Sequence, residues 1–192
     1  MRTAQNWNDR YQNDDFPWDI GGLSPAIKGY VDQLKDKTIK ILIPGAGHAH
    51  EAEYLYKQGY SNVYVCDWAE LALQEFSNRC PGFPKDKLLC TDFFKIEDRF
   101  DLIIEQTFFC ALDPELRKDY KVKMHELLKP NGVLVGLFFG IIFPKHGPPF
   151  GGEMKEYRAL FFDQFSILEM AITDQSIEPR KGNELFFRMM RI

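Results

Sequence analysis

The stretch IKILIPGAGHAHEAEYL, residues 39–55, constrains the fold more than any other part of the chain. A short apolar run, typical of a buried strand, is followed at once by two glycines and then by a helix-like pattern. A glycine loop in this place lies at the carboxyl end of the first strand, where open α/β sheets bind their ligands. The stretch therefore predicts a cofactor site, and it leaves dinucleotide, phosphate and sulfonium cofactors open as candidates.

Apolar and amphipathic runs alternate along the rest of the chain, which predicts an α/β protein with a mostly parallel sheet covered by helices on both faces. Strands are predicted at 39–43, 62–67, 87–92, 99–106, 133–139, 165–172 and 183–192. Helices are predicted at 49–58, 69–79, 114–128 and 153–162, and two short helices are predicted before residue 38. The last two strands have no helix between them, so they can pair as a hairpin and give the sheet an antiparallel edge.

The size and charge of the chain limit the class of protein. Its 192 residues are enough for one domain with a hydrophobic core, and no linker divides them. The net charge of −4 argues against a nucleic-acid binder, which usually needs a basic face. No apolar segment is long enough to span a bilayer, and the polar, acidic N-terminus is unlike a signal peptide. We therefore expect a single domain, 1–192, that binds neither nucleic acid nor membrane.

The cysteines indicate a reducing compartment. Cys66, Cys80, Cys90 and Cys110 form no CxxC motif, and none lies near a histidine at zinc spacing. A cytoplasmic protein with reduced thiols is therefore expected. Cys66 and Cys90 each end a predicted strand, so both are expected to be buried as small hydrophobic side chains.

The residues of the glycine loop separate the candidate cofactors. A phosphate-binding GxxxxGK[ST] loop needs a lysine near the glycines, but none follows Gly47 until Lys57. A dinucleotide loop needs a third glycine where His50 stands. A loop for S-adenosylmethionine carries GxGxG or a near variant, and GAGHA fits that pattern with Ala49 in the last position. Alone this signal is weak, because glycine turns after strands are common.

Two acidic residues strengthen the prediction of a nucleoside site. Asp67 ends the second predicted strand, about twenty residues after the loop, which is the separation at which an acid meets a ribose diol. Asp92 ends the third strand in the same way and could accept from an adenine amino group. One acid alone would more often be a helix cap or a turn residue. Two acids at neighbouring strand ends favour a bound nucleoside.

The histidines give little further information about a ligand. His48 and His50 lie close together in sequence but have no nearby carboxylate or third ligand, so no metal site is expected. His146 lies in a Gly/Pro-rich loop and could line a pocket.

Longer motifs resemble a known family. WNDRY, PWDIGGLSPAI, VYVCDWAELAL, FDLIIEQTFFCALDPELR, MHELLKPNGVLV, GPPF and EPRKG are similar to segments of the thiopurine/thiol/halide S-adenosylmethionine-dependent methyltransferases. The chain most resembles the plant-type halide and thiol methyltransferase branch. The resemblance implies the class I methyltransferase fold, which is Rossmann-like and has seven strands, the last of them antiparallel.

The resemblance also implies a cofactor lid at residues 1–37 and a set of cofactor contacts. By position these contacts are Trp7, Tyr11, Trp18, Gly45, Gly47, Asp67, Trp68, Asp92, Phe93 and Gln106. Aromatic faces in the lid would attract the positive charge of a sulfonium and exclude water. Tyr11 stands where the branch often has Trp, and Gln106 stands where relatives have Tyr near the methionine end. The contact at Gln106 therefore departs from the family pattern.

The implied reaction is methyl transfer from S-adenosylmethionine to a small soft nucleophile such as a thiol, hydrosulfide or halide. This is an in-line displacement in which the enzyme mainly orients the reactants, so no indispensable general base is expected. Phe108, Phe109 and Phe150 are expected to form walls of the substrate pocket, and Arg180 could attract an anionic acceptor.

Two alternatives stay open on sequence alone. One is the same fold acting on a larger acceptor, such as a thiopurine-like heterocycle or an oxyanion of selenium or tellurium, with the pocket size set by residues 143–152. The other is a protein that binds the cofactor without turnover. A monomer is expected, because no large exposed apolar stripe stands out.

Overall fold

A seven-stranded sheet runs through the computed structural model, which describes residues 3–145 and 147–192. Its strands are β1 (Ile41–Pro44), β2 (Val63–Asp67), β3 (Leu88–Cys90), β4 (Phe100–Gln106), β5 (Leu128–Phe139), β6 (Phe165–Ile172) and β7 (Glu184–Arg191). They lie in the order β3-β2-β1-β4-β5-β7-β6. The first five pair in parallel, and β7 is antiparallel to both β5 and β6. The predicted fold is thereby confirmed, and β7 lies inside the sheet while β6 forms its edge.

The described helices lie close to the predicted positions. They are α1 (Ala4–Gln12), α2 (Pro25–Val31), α3 (His50–Lys57), α4 (Glu70–Arg79), α5 (Arg117–Leu127) and α6 (Met154–Phe161). The chain leaves α3 at Gly59, whose φ of +88° suits a glycine. Asp113 caps the segment before α5 by accepting from the Glu115 N–H at 3.0 Å. That segment begins as a 3₁₀ turn, and the α-helix itself starts at Arg117.

Strand β1 is buried on both faces, as its unbroken apolar run predicts. Leu42 belongs to the hydrophobic cluster on one face of the sheet, and Ile41 and Ile43 belong to the cluster on the other. Much of the unusual phenylalanine content fills the first cluster, which includes Phe100, Phe109, Phe138, Phe161, Phe165 and Phe187. Packing on both faces fixes the sheet and so fixes the edge that carries the loops.

Parallel pairing brings the carboxyl ends of β1 to β4 to one edge of the sheet. Pro44 lies opposite Cys66 across β1 and β2, and Asp67 lies opposite Cys90 across β2 and β3. The glycine loop follows β1 directly, and Asp92 follows β3 after one residue. The residues singled out in the sequence are therefore gathered at one edge by the topology alone.

The start of β5 and the burial of Cys90 differ from the sequence expectations. Strand β5 begins at Leu128 rather than at 133, with Asn131 at a φ of +62° in the predicted turn. Cys66 is buried as expected, but the prediction that Cys90 is buried was wrong. Cys90 ends a three-residue strand at the margin of the sheet, where no further strand covers it.

In the described part of the chain, no helix combines the length and the apolarity that crossing a membrane requires. The four cysteines, all of which are described, are unpaired. His146 lies outside the described residues.

Candidate active site

A cavity of about 680 Å³ opens at the carboxyl edge of the sheet, between the N-terminal segment and the glycine loop. Its volume is typical of a site for a small molecule or cofactor. The predicted site residues that line it are Trp7, Tyr11, Trp18, Gly45, Gly47, Asp67, Trp68, Asp92, Phe93, Phe108, Phe150 and Arg180. Phe109 and Gln106 were also predicted for the site but do not line this cavity.

The glycine loop needs its glycines for two separate reasons. Gly45 and Gly47 both have a φ of +55°, which L side chains rarely adopt. A Cβ on Gly45 would lie 2.2 Å from Cδ2 of Phe108, and a Cβ on Gly47 would lie 3.3 Å from the Tyr11 hydroxyl. The loop backbone is thus packed against one wall of the cavity and against the lid. A side chain at either position would occupy space that the wall or the lid uses.

Asp67 presents a carboxylate that the backbone only partly satisfies. Its Oδ1 accepts from the Ala69 N–H at 2.8 Å, and its Oδ2 accepts from the Gly47 N–H at 2.9 Å. Burial raises the pKa of Asp67, while these N–H donors act in the opposite direction. A carboxylate has about four acceptor sites, so it can accept further donors beyond these backbone groups. A vicinal diol supplies two such donors.

Asp92 serves as a helix cap, the structural role that competes with a ligand contact at this position. Its Oδ1 accepts from the Phe94 N–H at 3.0 Å and so caps a short 3₁₀ helix. Its side chain nonetheless lines the cavity, next to the mostly buried ring of Phe93. Trp68 lines the same region with 40% of its surface exposed, which is high for an indole. This part of the cavity offers an acceptor oxygen and flat apolar surfaces to a planar ligand.

Aromatic rings from α1 and the following loop form the opposite wall. Trp7 and Trp18 meet edge to face with centroids 5.4 Å apart, and Tyr11 lies 6.0 Å from Trp18. The Arg10 guanidinium sits 4.4 Å from the Trp18 ring centroid. This cation–π contact demonstrates that the indole face accepts a positive charge. Arg10 was not singled out from the sequence, although its place one turn after Trp7 on a short helix would have suggested it.

Three polar contacts hold this N-terminal wall against the rest of the protein. Asp19 Oδ1 lies 2.8 Å from Nε2 of His50. Arg180 donates from Nη2 to the Trp18 carbonyl at 2.7 Å. The Leu71 N–H at the start of α4 donates to the side chain of Asn8 at 3.1 Å. The segment is therefore fastened by bonds that can break without disturbing the sheet.

The two phenylalanines predicted as pocket walls are separated by the structure. Phe108 lines the cavity, 5.1 Å from Phe93. Phe109 points into the core instead, with its ring centroid 4.6 Å from that of Phe138. Gln106 borders a separate cavity of about 30 Å³ beneath the glycine loop. Its buried Oε1 finds no hydrogen-bond partner among the described residues.

A buried acid fixes the loop after β4 that carries these side chains. Glu105 accepts from the Phe108 N–H at 2.9 Å, from the Phe109 N–H at 3.0 Å and from the Tyr120 hydroxyl at 2.8 Å. Thr107, which precedes Phe108 in this loop, adopts a φ of +59°. Burial raises the pKa of Glu105 to about 7, against the opposing effect of its donors. The sequence shows only an acid in an apolar strand, which was not singled out.

Arg180 is not a solvated turn residue. Its side chain is 12% exposed and pairs with the buried Glu184, with 3.2 Å between Nη1 and Oε1. Its guanidinium carbon lies 5.4 Å from the Phe139 ring centroid, and both residues line the cavity. A cation whose charge is partly offset by a carboxylate therefore borders an aromatic wall.

The model of the thiopurine S-methyltransferase (TPMT) family matches residues 2–190 of the chain. The chain belongs to this family. Among curated relatives, the thiocyanate methyltransferase 1 of Brassica oleracea is 30% identical over 97% of this chain and 84% of its own length. The probable thiol methyltransferase 2 of Arabidopsis thaliana is 29% identical over 95% of the chain and 83% of its own length. A thiopurine S-methyltransferase of Vibrio cholerae is 22% identical over 93% of the chain and 89% of its own length.

Solved methyltransferases share the fold of this TPMT-family chain. The 1,6-didemethyltoxoflavin-N1-methyltransferase of Burkholderia thailandensis, solved with S-adenosylhomocysteine, has a TM-score of 0.77 at 17% identity, covering 98% of this chain and 86% of that one. The magnesium protoporphyrin IX methyltransferase of Synechocystis, solved with S-adenosylmethionine, has a TM-score of 0.72 at 14% identity. The match covers 100% of this chain and 98% of that one. The fold is the class I methyltransferase fold, and the protein is an S-adenosylmethionine-dependent methyltransferase.

The residues of the cavity fit this cofactor. Asp67 keeps lone pairs for a ribose diol, and the two loop glycines line the cavity beside it. The wall of Trp7 and Trp18 offers aromatic faces to a sulfonium. The acid, the glycines and the aromatic wall meet in one cavity.

Proposed function

We propose that this TPMT-family enzyme transfers a methyl group from S-adenosylmethionine to a small soft nucleophile, namely a thiol, a hydrosulfide or a halide. The observation that carries the proposal is the position of Arg180, a largely enclosed cation beside the aromatic ring of Phe139 in the cavity wall. A positive charge in apolar surroundings favours an anionic acceptor. The names of the plant relatives, a thiocyanate methyltransferase and a probable thiol methyltransferase, support the same class of acceptor.

The pairing of Arg180 with Glu184 supports a soft acceptor over a hard one. The carboxylate, 3.2 Å from the guanidinium, already offsets much of its charge. A strongly hydrated anion would regain too little here to replace its lost hydration. A thiolate or a heavy halide is weakly hydrated and polarisable, so it loses less on entering the same place. Aromatic rings from Phe108 and Phe150 complete an apolar pocket for it.

Each cofactor contact in the proposal rests on a group described above. Asp67 accepts from the ribose hydroxyls, and Asp92 and Phe93 contact the adenine beside Trp68. Gly45 and Gly47 present the loop backbone to the ligand, and the lid rings Trp7, Tyr11 and Trp18 cover it. Gln106 faces the small neighbouring cavity, so its contact would be at the methionine end.

The protein's part in the reaction is orientation and the exclusion of water. S-adenosylmethionine, when bound, supplies a methyl group on a sulfonium whose leaving group is a neutral thioether. The aromatic walls keep the acceptor dry and hold it in line. Among the described residues no histidine lines the cavity, and Asp67, Asp92 and Asp113 each already accept from the backbone. An acceptor that arrives as an anion needs no general base.

Cys110 lines the same cavity and is itself a potential methyl acceptor. Burial raises the pKa of Cys110, chiefly by desolvation, and its Sγ donates to the Thr107 carbonyl at 3.3 Å. A neutral thiol is a poor nucleophile compared with a thiolate. The enzyme's own thiol is thereby protected from the reaction that it performs on others.

We propose the same single-domain organisation that the sequence predicts. Residues 1–192 form one domain in which 1–37 act as the cofactor lid, since α1 and the following loop supply one wall of the cavity. The enzyme works as a monomer on a small molecule, without nucleic acid or membrane. Its four unpaired cysteines support a reducing, cytoplasmic location.

A second acceptor class is favoured by the cavity volume of about 680 Å³. That space could hold an acceptor larger than a halide beside the cofactor, such as a thiopurine-like heterocycle. The loop with Gly147 to Phe150 borders it and would set the size limit.

A product screen separates the two classes. The enzyme is incubated with methyl-labelled S-adenosylmethionine and, in turn, with iodide, hydrosulfide, small thiols and a thiopurine, and labelled products are measured by mass spectrometry. Methylated iodide, hydrosulfide or thiol is expected, with a product loss in Asp67→Ala and none in the surface variant Lys155→Ala. Turnover of the thiopurine alone would favour the larger acceptor. Failure to bind S-adenosylhomocysteine in calorimetry would contradict the cofactor assignment.

A further inference from the structure

Three side chains with metal-binding atoms meet where the lid touches the glycine loop. Asp19 comes from the lid, His48 from the loop, and His50 is the first residue of α3. Asp19 Oδ1 lies 2.8 Å from His50 Nε2, and Asp19 Oδ2 lies 3.3 Å from His48 Nδ1. The three ligand atoms all lie within 4.8 Å of one another. The structure thus supplies the carboxylate that the two histidines lack in the sequence.

The position of His48 makes this cluster more than a hydrogen-bonded latch. Its Nε2 faces Glu75, with 3.4 Å between Nε2 and Oε2. A ring proton on that nitrogen leaves a lone pair on Nδ1, which then faces the carboxylate of Asp19. Nδ1 is buried and makes no hydrogen bond within the described part of the chain. In that tautomer Nδ1 and the Asp19 carboxylate are both acceptors, and a cation between them would satisfy both.

The arrangement of Glu75 behind His48 is the one that metal-binding histidines commonly have. A ligating imidazole usually donates its other ring N–H to a carboxylate, which fixes its tautomer and orientation. The rings of His48 and His50 are nearly parallel, with centroids 5.9 Å apart. Bonds of about 2.0–2.2 Å to one ion require ligand atoms that are now within 4.8 Å of one another to come somewhat closer together.

We propose that Asp19, His48 and His50 bind a divalent first-row transition metal, zinc above all, which clamps the lid to the glycine loop. The ligands are Nδ1 of His48, Nε2 of His50 and the carboxylate of Asp19, with water in the remaining positions. Binding displaces the proton shared by His50 and Asp19 into solvent. Two imidazoles and one carboxylate form a donor set that suits zinc better than magnesium or calcium.

The charges around the cluster favour a dication on balance. The N-terminus of α3 opposes a cation, because its peptide dipoles point their positive end there. Arg79 donates to the His48 carbonyl, but its guanidinium is paired with Glu53 at 2.7 Å. Asp19 and Glu75 contribute two formal negative charges within 3.4 Å of the imidazole nitrogens. A divalent cation, which neutralises the charges of both Asp19 and Glu75, should therefore bind here more strongly than a monovalent one.

Metal binding can be measured on tag-free protein without substrate. The starting chain carries Cys90→Ser, because Cys90 is the exposed thiol and would compete for the metal. Cobalt(II) is titrated first, since its visible spectrum distinguishes nitrogen and oxygen ligands from thiolates, and zinc then displaces it. One ion per chain is expected, without a thiolate charge-transfer band. His48→Ala, His50→Ala and Asp19→Asn should each weaken binding at least about tenfold, whereas His125→Ala should not.

A second measurement tests the clamp itself. Zinc should slow the release of S-adenosylhomocysteine from the starting chain severalfold and leave its release from Asp19→Asn unchanged. Absence of stoichiometric binding would overturn the proposal, as would binding that survives all three substitutions or is lost in His125→Ala. A bound ion with no effect on release would overturn the clamp. None of these outcomes depends on which nucleophile the enzyme methylates.

Discussion

The hydroxyl of Tyr120 on α5 donates to the carboxylate of Glu105 on β4 at 2.8 Å, and both side chains are fully buried. The same carboxylate accepts from the Phe108 and Phe109 N–H groups. A buried carboxyl group thus stands between the core and the cavity wall and holds both in place. Its burial makes the protein's stability depend on pH.

Stability should fall as the pH rises through neutrality. Burial raises the pKa of Glu105 from 4.5 to about 7, so the folded state keeps a proton that the unfolded state has lost. The stabilising effect is complete below about pH 4.5 and is lost by about pH 7. A difference of this size corresponds to a few kcal/mol, on the order of 3. Urea unfolding at pH 5 and pH 8 measures it.

The Glu105→Gln variant supplies the comparison for that experiment. Gln keeps an oxygen for Tyr120 but brings an NH₂ group against backbone N–H donors, so it should be less stable at pH 5. Its stability should also change less between the two pH values than that of the parent. The exposed Glu178→Gln serves as a matched control. An identical pH dependence in parent and Glu105→Gln would show that Glu105 is ionised at pH 5.

Asp67→Ala should weaken S-adenosylhomocysteine binding at least tenfold, on the order of 1.4 kcal/mol, because charge-assisted bonds to a diol are lost. Calorimetry measures the affinity, and thermal unfolding checks that the variant folds. Asp36→Ala removes an exposed acid far from the cavity lining and should bind as the parent does. An unchanged affinity in Asp67→Ala would contradict the proposed contact between Asp67 and the ribose hydroxyls.

Gly45→Ala should destabilise the protein more than Gly59→Ala does. Both glycines have a positive φ, which a Cβ opposes by about 1–2 kcal/mol. Only at Gly45 does the added Cβ meet another group, Cδ2 of Phe108 at 2.2 Å, whereas nothing lies within 4 Å at Gly59. The difference between the two variants isolates an overpacking effect of about 1–3 kcal/mol. Gly45→Ala combined with Phe108→Ala should reduce that difference, because Cγ and Cδ2 are removed while the Phe108 Cβ stays 2.9 Å from the added Cβ. An undiminished difference would argue against the contact.

Arg180→Gln should lower both stability and turnover of an anionic acceptor. It leaves the buried Glu184 unpaired, which destabilises by about 3 kcal/mol, and it removes the bond to the Trp18 carbonyl. Adding Glu184→Gln should restore much of the stability but not the activity. Chemical denaturation and kcat/KM with hydrosulfide give the two readouts. Restored activity in the double variant would show that Arg180 acts only by holding the fold.

The order of strands and loops made much of the site predictable. Gly45, Asp67 and Asp92 follow successive strands, and parallel pairing must bring such positions to one edge. Side-chain direction within an irregular turn was not predictable in the same way. Phe108 and Phe109 are adjacent phenylalanines. In the turn after Thr107, the side chain of Phe108 lines the cavity and that of Phe109 is buried in the core.

Contacts between segments that are far apart in the sequence also could not be predicted from its local pattern. His50 has its carboxylate partner at Asp19, 31 residues away on the lid, so local spacing suggested no third ligand. Cys66 and Cys90 both lie near the carboxyl end of a strand, but only the strand of Cys66 has neighbouring strands on both sides. Both outcomes depend on which elements become neighbours, and a local pattern does not contain that information.

The placement of β7 between β5 and β6 has a consequence for synthesis on the ribosome. β6 emerges first but has no partner until β7 follows, because its hydrogen-bonding neighbour is encoded after it. A nascent chain that has grown past Ile172 but not yet to Glu184 therefore carries a strand that cannot dock. Docking of β6 therefore waits for β7, and the part of the sheet beyond β5 forms only once β7 is available to pair with both.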